Sequence, residues 1–353
     1  MKIIIDTDPG QDDAVAILLA LASPGAFDIL GIVAVAGNVP LSFTSKNVRK
    51  VLELGGRPDI PVHAGCRRPM LREPRTAEYV HGPTGLNGPD LPEPKMPLGK
   101  QHGVDWLIET IEAHPPGTIT LCTLGPLTNI GMALVKAPDI ASRIKRIVMM
   151  AGAYFEGGNV TPSAEFNVYV DPEAADVVLR SGIPITMLPL DVTHQARSTA
   201  ARVKAFAALG NRTGKAVAEM LAFSEEFDRK KYGWDGAPLH DPNVIAWLLM
   251  PEIYQGRQIN VAVETSSPLT LGMTVADWWN VTGRPHNVTY IKDVDAVRFY
   301  ALLMERVGKL MKEGKSLDDI KKELKMPEYA SFASQDRMPT NVDAAYKALG
   351  GKI

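Results

Sequence analysis

The sequence predicts an α/β protein: a single large domain with a mostly parallel central sheet and helices on both faces. Three observations carry this. Short β-rich runs alternate with helical patterns over residues 1–311. The strand runs are almost continuously apolar, as strands covered on both faces must be. The polar residues with chemical potential follow the strand ends, where ligands bind in open sheets of this kind.

Taken in order, Ile3–Ile5 reads as a buried strand that opens into a loop of acids. A helix over Asp12–Ala22 is stopped by Ser23-Pro24-Gly25. Ile29–Ala36 is a second strand, ended by Gly37-Asn38, and Phe43–Leu54 is a helix closed by Gly55-Gly56. Ile60–Val62 is a short strand. Residues 66–100, rich in Pro, Gly and Arg, form a surface excursion. Gly103–Ala113 is helical, Thr118–Thr123 a strand, Leu127–Val135 a helix and Arg146–Met150 a strand followed by a loop over 151–168. Then come a helix at Pro172–Arg180, a strand at Ile183–Leu188 and helices over 198–209 and 213–228. After a loop at 232–241, a helix restarts at Pro242–Leu249; strands near 257–263 and 286–291 precede a helix from Asp295 to Met311. Residues 312–353 are Lys-rich and read as a separate helical C-terminal extension, with Ser316–Leu324 a capped amphipathic helix and another short one near 341–348.

Composition narrows the function. Of 353 residues, 45% are hydrophobic and 22% charged, ordinary for a globular chain that can bury a large core. A net charge of −2 offers no basic footprint for nucleic acid and no case for an anionic membrane surface. Cys66 and Cys122 have neither zinc nor redox spacing, and fit a reducing compartment. The N-terminus reaches Asp6 too soon for a signal-peptide core, and the best apolar run, Ala14–Ala22, is too short to span a bilayer. The expected location is cytoplasmic.

The stretch from Asp6 to Asp13 places four carboxylates directly after a buried strand. Two unit charges about 4 Å apart repel by about 4 kcal/mol at an effective dielectric near 20, so such a cluster needs solvent or a cation. Pro9-Gly10 turns the chain so that Asp8 and Asp12-Asp13 face one point. All-oxygen ligands suit calcium or magnesium rather than zinc. The competing reading is a solvated turn with Asp12 capping the helix. An EF-hand loop fails, because Ile17 occupies the position where its terminal Glu belongs. A magnesium-dependent D-x-D phosphatase shares the opening but would need a Thr or Val at position 10, where Gly10 stands, and a later acidic motif that is absent.

Two further clusters stand out. Residues 158–167 bring Asn159, Glu165 and Asn167 into one loop; amides with a carboxylate bridge hydroxyls and suit a sugar better than a phosphate. They also read as loop-closing residues. His240-Asp241 precedes a helix with Pro242 in its first turn; Asp241 reads equally as its N-cap and His240 as a surface residue. His81 is a similar candidate on a loop. Trp278-Trp279 reads as structural. No serine-hydrolase elbow, P-loop, zincin or dinucleotide motif is present.

These residues together resemble the inosine-uridine nucleoside hydrolase family. The carriers are D-T-D-P-G-Q-D-D-A at 6–14, A-G-N at 36–38, L-G-P-L-T-N at 124–129, G-N-V-T-P-S-A-E-F-N at 158–167 and H-D-P at 240–242, in the family's order over residues 1–311. The resemblance implies a nucleoside hydrolase-like, Rossmann-like open sheet. It implies a hydrolase (a glycosidase acting on N-glycosyl compounds) that splits ribonucleosides of the inosine or uridine type into base and ribose, serving nucleoside catabolism and base salvage. By position it implies a calcium ion held by Asp8, Asp13, Asp241 and the carbonyl of Leu124, with a calcium-bound water activated by Asp8 as general base. It further implies ribose contacts from Asp12, Asn38, Asn159, Glu165 and Asn167, His240 assisting the departing base, and a homo-oligomer, dimer or tetramer; His81 joins them as a substrate-contact candidate on the strength of its own loop, V-H-G-P-T-G. Met149–Tyr154 departs from the family's usual double glycine, which leaves the base pocket open; loop 66–90 and Phe223–Tyr232 are its expected walls, with Phe227 and Tyr232 as lid aromatics. A non-catalytic nucleoside- or ribose-binding protein is the reading of another class.

Overall fold

The computed structural model describes residues 1–310; the extension expected over 312–353 lies outside the described residues. The first half contains β1 (Lys2–Thr7), α1 (Gln11–Leu21), β2 (Asp28–Ala34), α2 (Leu41–Leu54), β3 (Val62–Ala64), α3 (Glu78–His81), α4 (Gly103–Ala113), β4 (Ile119–Thr123), α5 (Thr128–Lys136) and β5 (Ile144–Met150). There follow α6 (Phe166–Val170), α7 (Pro172–Leu179), β6 (Ile185–Leu188), α8 (Leu190–Thr193), β7 (Arg197–Ser198), α9 (Ala200–Ala208) and α10 (Arg212–Tyr232). The last are β8 (Ala237–Pro238), α11 (Pro242–Leu249), β9 (Tyr254–Val263), β10 (Thr274–Asp277), β11 (Val288–Val294) and α12 (Ala296–Lys309).

Alternation along β1 sets the layers. Ile3 and Ile5 enter one hydrophobic core and Ile4 the other, so both faces of the sheet are covered. The main sheet has the order β10-β9-β11-β6-β5-β4-β1-β2-β3. From β11 to β3 all neighbours run parallel; β9 runs antiparallel to both β11 and β10. The chain lays β1, β2 and β3 outward in one direction, then returns to place β4 on the other side of β1. The crevice between β1 and β4 is thus a topological switch point, the place where such sheets bind ligands.

Helix α1 is buried from Asp13 to Leu21 because α2, α10, α11 and α12 cover it. That explains its unbroken apolar run Ala14–Ala22, which a helix with one wet face would not carry. Helix ends follow their chemistry. Asp171 caps the backbone N–H of Ala174 ahead of Pro172, and Asp295 caps Val297 and Arg298. Helix α10 ends at Gly233 in the left-handed conformation, φ +68°, with Arg229, Lys230 and Lys231 in its last turn facing the negative end of the helix dipole.

Some elements differ from expectation. The third strand starts at Val62, two residues late, because Pro61 has no N–H for the ladder; its carbonyl accepts from Ile32 instead, at 2.9 Å. The loop expected over 151–168 ends in α6, started by Glu165 accepting from the backbone of Asn167 and Val168. Strand β10 and helix α8 had no counterpart in the pattern, and β9 begins at Tyr254. Trp278 packs edge-on against Phe155 and Tyr290, whereas Trp279 is exposed; Arg257 lies over both rings. Among the described residues no helix is long and apolar enough to cross a membrane.

Candidate active site

The carboxyl ends of the parallel strands build one rim. Strand β1 leads to Asp8, β2 to Asn38, β4 to Leu124, and β5 to the loop carrying Asn159, Glu165 and Asn167. Asp241 arrives from elsewhere in the chain, at the head of α11, and α11 packs directly on α1, whose first turn holds Asp12 and Asp13. Carboxylate oxygens of Asp12, Asp13 and Asp241 lie within 4.8 Å of one another. Asp241 occupies the N-cap position yet makes no capping hydrogen bond, so the helix end does not account for its orientation.

Asp8 is clamped. Its Oδ2 accepts from the backbone N–H of Asn38 at 2.7 Å, while its Oδ1 is buried without a hydrogen-bond partner. Gly37 and Gly125 flank the carboxylate so closely that a Cβ on either would overlap it, on Oδ2 and Oδ1 respectively. The glycines of A-G-N and L-G-P serve here by lacking volume. Asp13 accepts from Thr7 Oγ1 at 2.5 Å and from the Gly10 N–H at 2.9 Å, which fixes its position at the turn. Gly10 is not in a left-handed conformation; a Cβ there would strike the His81 ring.

The electrostatics follow from burial of like charges. Burial first, then Asp13, raises the Asp8 carboxyl well above the usual range; burial and then Asp12 raise Asp13, and burial followed by Asp12 and Asp13 raise Asp241. Burial also raises Asp12. A cluster in this condition fits a hard divalent cation: the donors are all oxygen, they converge, and Asp8 presents an orphaned buried oxygen. The Leu124 carbonyl borders the same cavity and already accepts from Asn167 Nδ2 at 2.8 Å.

The sugar-facing candidates are shaped by their own hydrogen bonds. Asn38 Nδ2 donates to the Asp8 carbonyl at 3.1 Å, and Asn167 Nδ2 to Leu124 and Met150 carbonyls, so each amide leaves its oxygen for a ligand. Asn159 Oδ1 accepts from the Phe166 N–H at 2.9 Å, tying its loop to α6. Glu165 accepts backbone N–H groups from Asn167, Gly152 and Val168, yet burial pushes its carboxyl up to about 7.

Asp12, Asn38, His81, Leu124, Asn159, Glu165, Asn167, His240 and Asp241 all line one cavity. Phe227 and Tyr232 of α10 and Tyr79 and Val80 of the excursion form its outer wall. His81 Nδ1 lies 2.7 Å from Gln11 Oε1, and Gln11 Nε2 donates to the carbonyls of His81 and Asn87, fastening the excursion to α1. Burial lowers His81 to about 4. Thr193 Oγ1 meets His240 Nδ1 at 2.7 Å, and burial, then His194 and His81, lowers His240 to about 3. His240 is therefore neutral at pH 7, and a Thr193 hydroxyl donating to Nδ1 leaves the proton on Nε2.

Sequence reasoning missed His194 as a cavity residue; Asp228 and Lys231 fall within Phe223–Tyr232, the segment expected to wall the base pocket. His194 lies 3.1 Å from Glu156 and its ring is 5.7 Å from that of His240. Asp228 and Lys231 belong to a helix face at spacing 221, 224, 227/228, 231/232 that lines the cavity, though within that segment only Phe227 and Tyr232 were singled out from the sequence.

A family model described as inosine-uridine preferring nucleoside hydrolase matches residues 3–301. An uncharacterized protein of Schizosaccharomyces pombe is 56% identical over 310 residues, covering 88% of this chain and 100% of that one. A pyrimidine-specific ribonucleoside hydrolase of Salmonella gallinarum is 47% identical over 309 residues, covering 87% and 98%. Among solved structures, a purine-preferring ribonucleoside hydrolase from Gardnerella vaginalis superposes with a TM-score of 0.82 at 31% identity, covering 88% and 99%. A plant nucleoside hydrolase superposes at 0.79 with 34% identity, covering 87% and 98%.

Proposed function

The chain belongs to the inosine-uridine preferring nucleoside hydrolase family, whose reaction is hydrolysis of the ribonucleoside N-glycosidic bond, and from that premise we propose how its own residues perform it. Asp8, Asp13, Asp241 and the Leu124 carbonyl would hold a calcium ion; oxygens of Asp13 and Asp241 converge with Asp12, and Asp8 stands beside Asp13, whose Oδ1 accepts from the Asp8 N–H at 3.3 Å. When bound, the cation would anchor a sugar diol, keep Asp8 ionised against the upward push of burial and Asp13, and lower the pKa of adjacent water. The observation that carries the reading is Asp8: a buried carboxylate, clamped by two glycines, with one oxygen left without a partner.

Asp8 takes a proton from the attacking water at that oxygen. Asn38, Asn159, Glu165, Asn167 and Asp12 grip the ribose, so that positive charge can build at C1′ as the bond to the base stretches. Neutral His240, oriented by Thr193, offers its Nε2–H as a hydrogen bond that stabilises the departing base, and His81 borders the same space. The bonding electron pair leaves with the base, water adds OH to C1′ with its proton passing to Asp8, and that proton returns to the base through solvent, so Asp8 and His240 end as they began.

The test is release of reducing sugar from inosine or uridine, with and without EDTA, by wild type and Asp8→Ala. We expect turnover that EDTA removes and calcium restores, and none in a folded Asp8→Ala protein. Binding without release of ribose would favour a nucleoside-binding protein, and release of inorganic phosphate from a phosphomonoester would favour a phosphatase. A cytoplasmic homo-oligomer, dimer or tetramer, is part of the same proposal, and sedimentation measures its size.

A further inference from the structure

Helix α10 turns one face to the cavity, and on that face Asp228 and Lys231 stand one helical turn apart. Among the described residues Asp228 has no hydrogen bond or ion pair, although it is half-buried. Lys231 Nζ spends one donor on the Asn159 carbonyl at 2.8 Å and has two more. An aromatic chain places this end of α10 beside the leaving-group residue: Tyr232 stacks on Trp234 at 4.4 Å, Trp234 meets His194 at 4.8 Å, and His194 meets His240 at 5.7 Å. The pair also borders the ribose-gripping residues: Lys231 bonds the Asn159 carbonyl, and Asp12 is near enough to raise the Asp228 carboxyl.

We propose that Asp228 and Lys231 read the base edge, the carboxylate accepting from a ring N–H and the ammonium donating to the neighbouring carbonyl oxygen. Uracil, hypoxanthine and guanine present that lactam edge. Cytosine and adenine present an amine beside an unprotonated ring nitrogen, which sets donor against donor and acceptor against acceptor. The pair therefore selects lactam nucleosides, both pyrimidine and purine, and is indifferent to ring size. This inference rests on the nucleoside hydrolase reading of the cavity and names its substrate class.

Burial, and then Asp12, pushes Asp228 up to about 7, so the test is run at a pH a unit or more above that value, where it is ionised. kcat/KM is measured for uridine, cytidine, 3-methyluridine and 5′-deoxyuridine with wild type, Asp228→Asn and Lys231→Gln, each checked for an unchanged thermal transition. Wild type should favour uridine over both cytidine and 3-methyluridine. Asp228→Asn, which offers an N–H to the cytosine ring nitrogen, should narrow the uridine-to-cytidine ratio by about tenfold or more. Lys231→Gln should narrow it in the same direction. A ratio unchanged in both variants overturns the proposal. So does a loss confined to discrimination against 5′-deoxyuridine, which would mean the pair reads the 5′-hydroxyl. Wild type that cleaves no nucleoside would instead sink the reading beneath it.

Discussion

Asp241→Asn puts the buried cluster to a quantitative test. Its oxygens lie within 4.8 Å of those of Asp12 and Asp13. At an effective dielectric near 20, a full charge pair at that separation repels by about 3 kcal/mol. The raised carboxyl pKa values mean that protons are retained and the charges never fully develop, so one such pair, not two, bounds the relief. In EDTA the variant should therefore melt higher than wild type, by several degrees for about 3 kcal/mol in a chain of this size. With calcium the order reverses. Wild type gains about 4.1 kcal/mol at about a thousand times its dissociation constant, more than that relief, whereas the variant has lost an anionic ligand and needs far more ion for the same gain. Thermal unfolding is followed across a calcium titration for both proteins, with isothermal calorimetry for affinity. A variant that melts lower than wild type in EDTA, or that gains as much from calcium, would refute the claim that these acids form a cation site strained without its ion.

Three further outcomes follow from the same geometry. Gly125→Ala places a methyl on Asp8 Oδ1 and should cut kcat by about a hundredfold or more at nearly unchanged fold, read by steady-state kinetics and circular dichroism. His240→Ala should cost more with inosine than with a nucleoside bearing an activated leaving group, and equal losses would remove its role as donor. Glu165, raised from 4.5 to about 7, is protonated in the folded state over a range where the unfolded chain is ionised; native stability should fall by about 3 kcal/mol as pH rises from 4.5 through 7. Glu165→Gln should lessen the slope by that share, the raised aspartates keeping the rest, seen in urea melts at several pH values.

Much of this architecture was legible before any coordinates. Near-continuous apolar runs identified the parallel strands, because strands covered on both faces cannot alternate. The acids after β1 announced themselves because four carboxylates beyond a buried strand have no cheap structural explanation. What escaped notice was short or set by distant contacts. Strand β10 has four residues and is held by pairing with β9; α8 is a single turn. His194 sits in a run, L-D-V-T-H-Q, with no local oddity, and only the fold brings Glu156 and His240 to it. The N-cap reading of Asp241 illustrates the same limit: position in the helix was readable, but the neighbours that orient its side chain lie some 230 residues away in the chain, at Asp12 and Asp13.

That distance has a consequence during synthesis. A nascent chain that has emerged only through α10 already owns β1, α1 and the rim asparagines, but the α11 surface that packs on α1 has yet to be made. Its half-assembled acids would hold an ion poorly and a ribose loosely. Competence arrives only when the last quarter of the described chain docks, so ion uptake at the proposed site would report that the polypeptide has closed on itself.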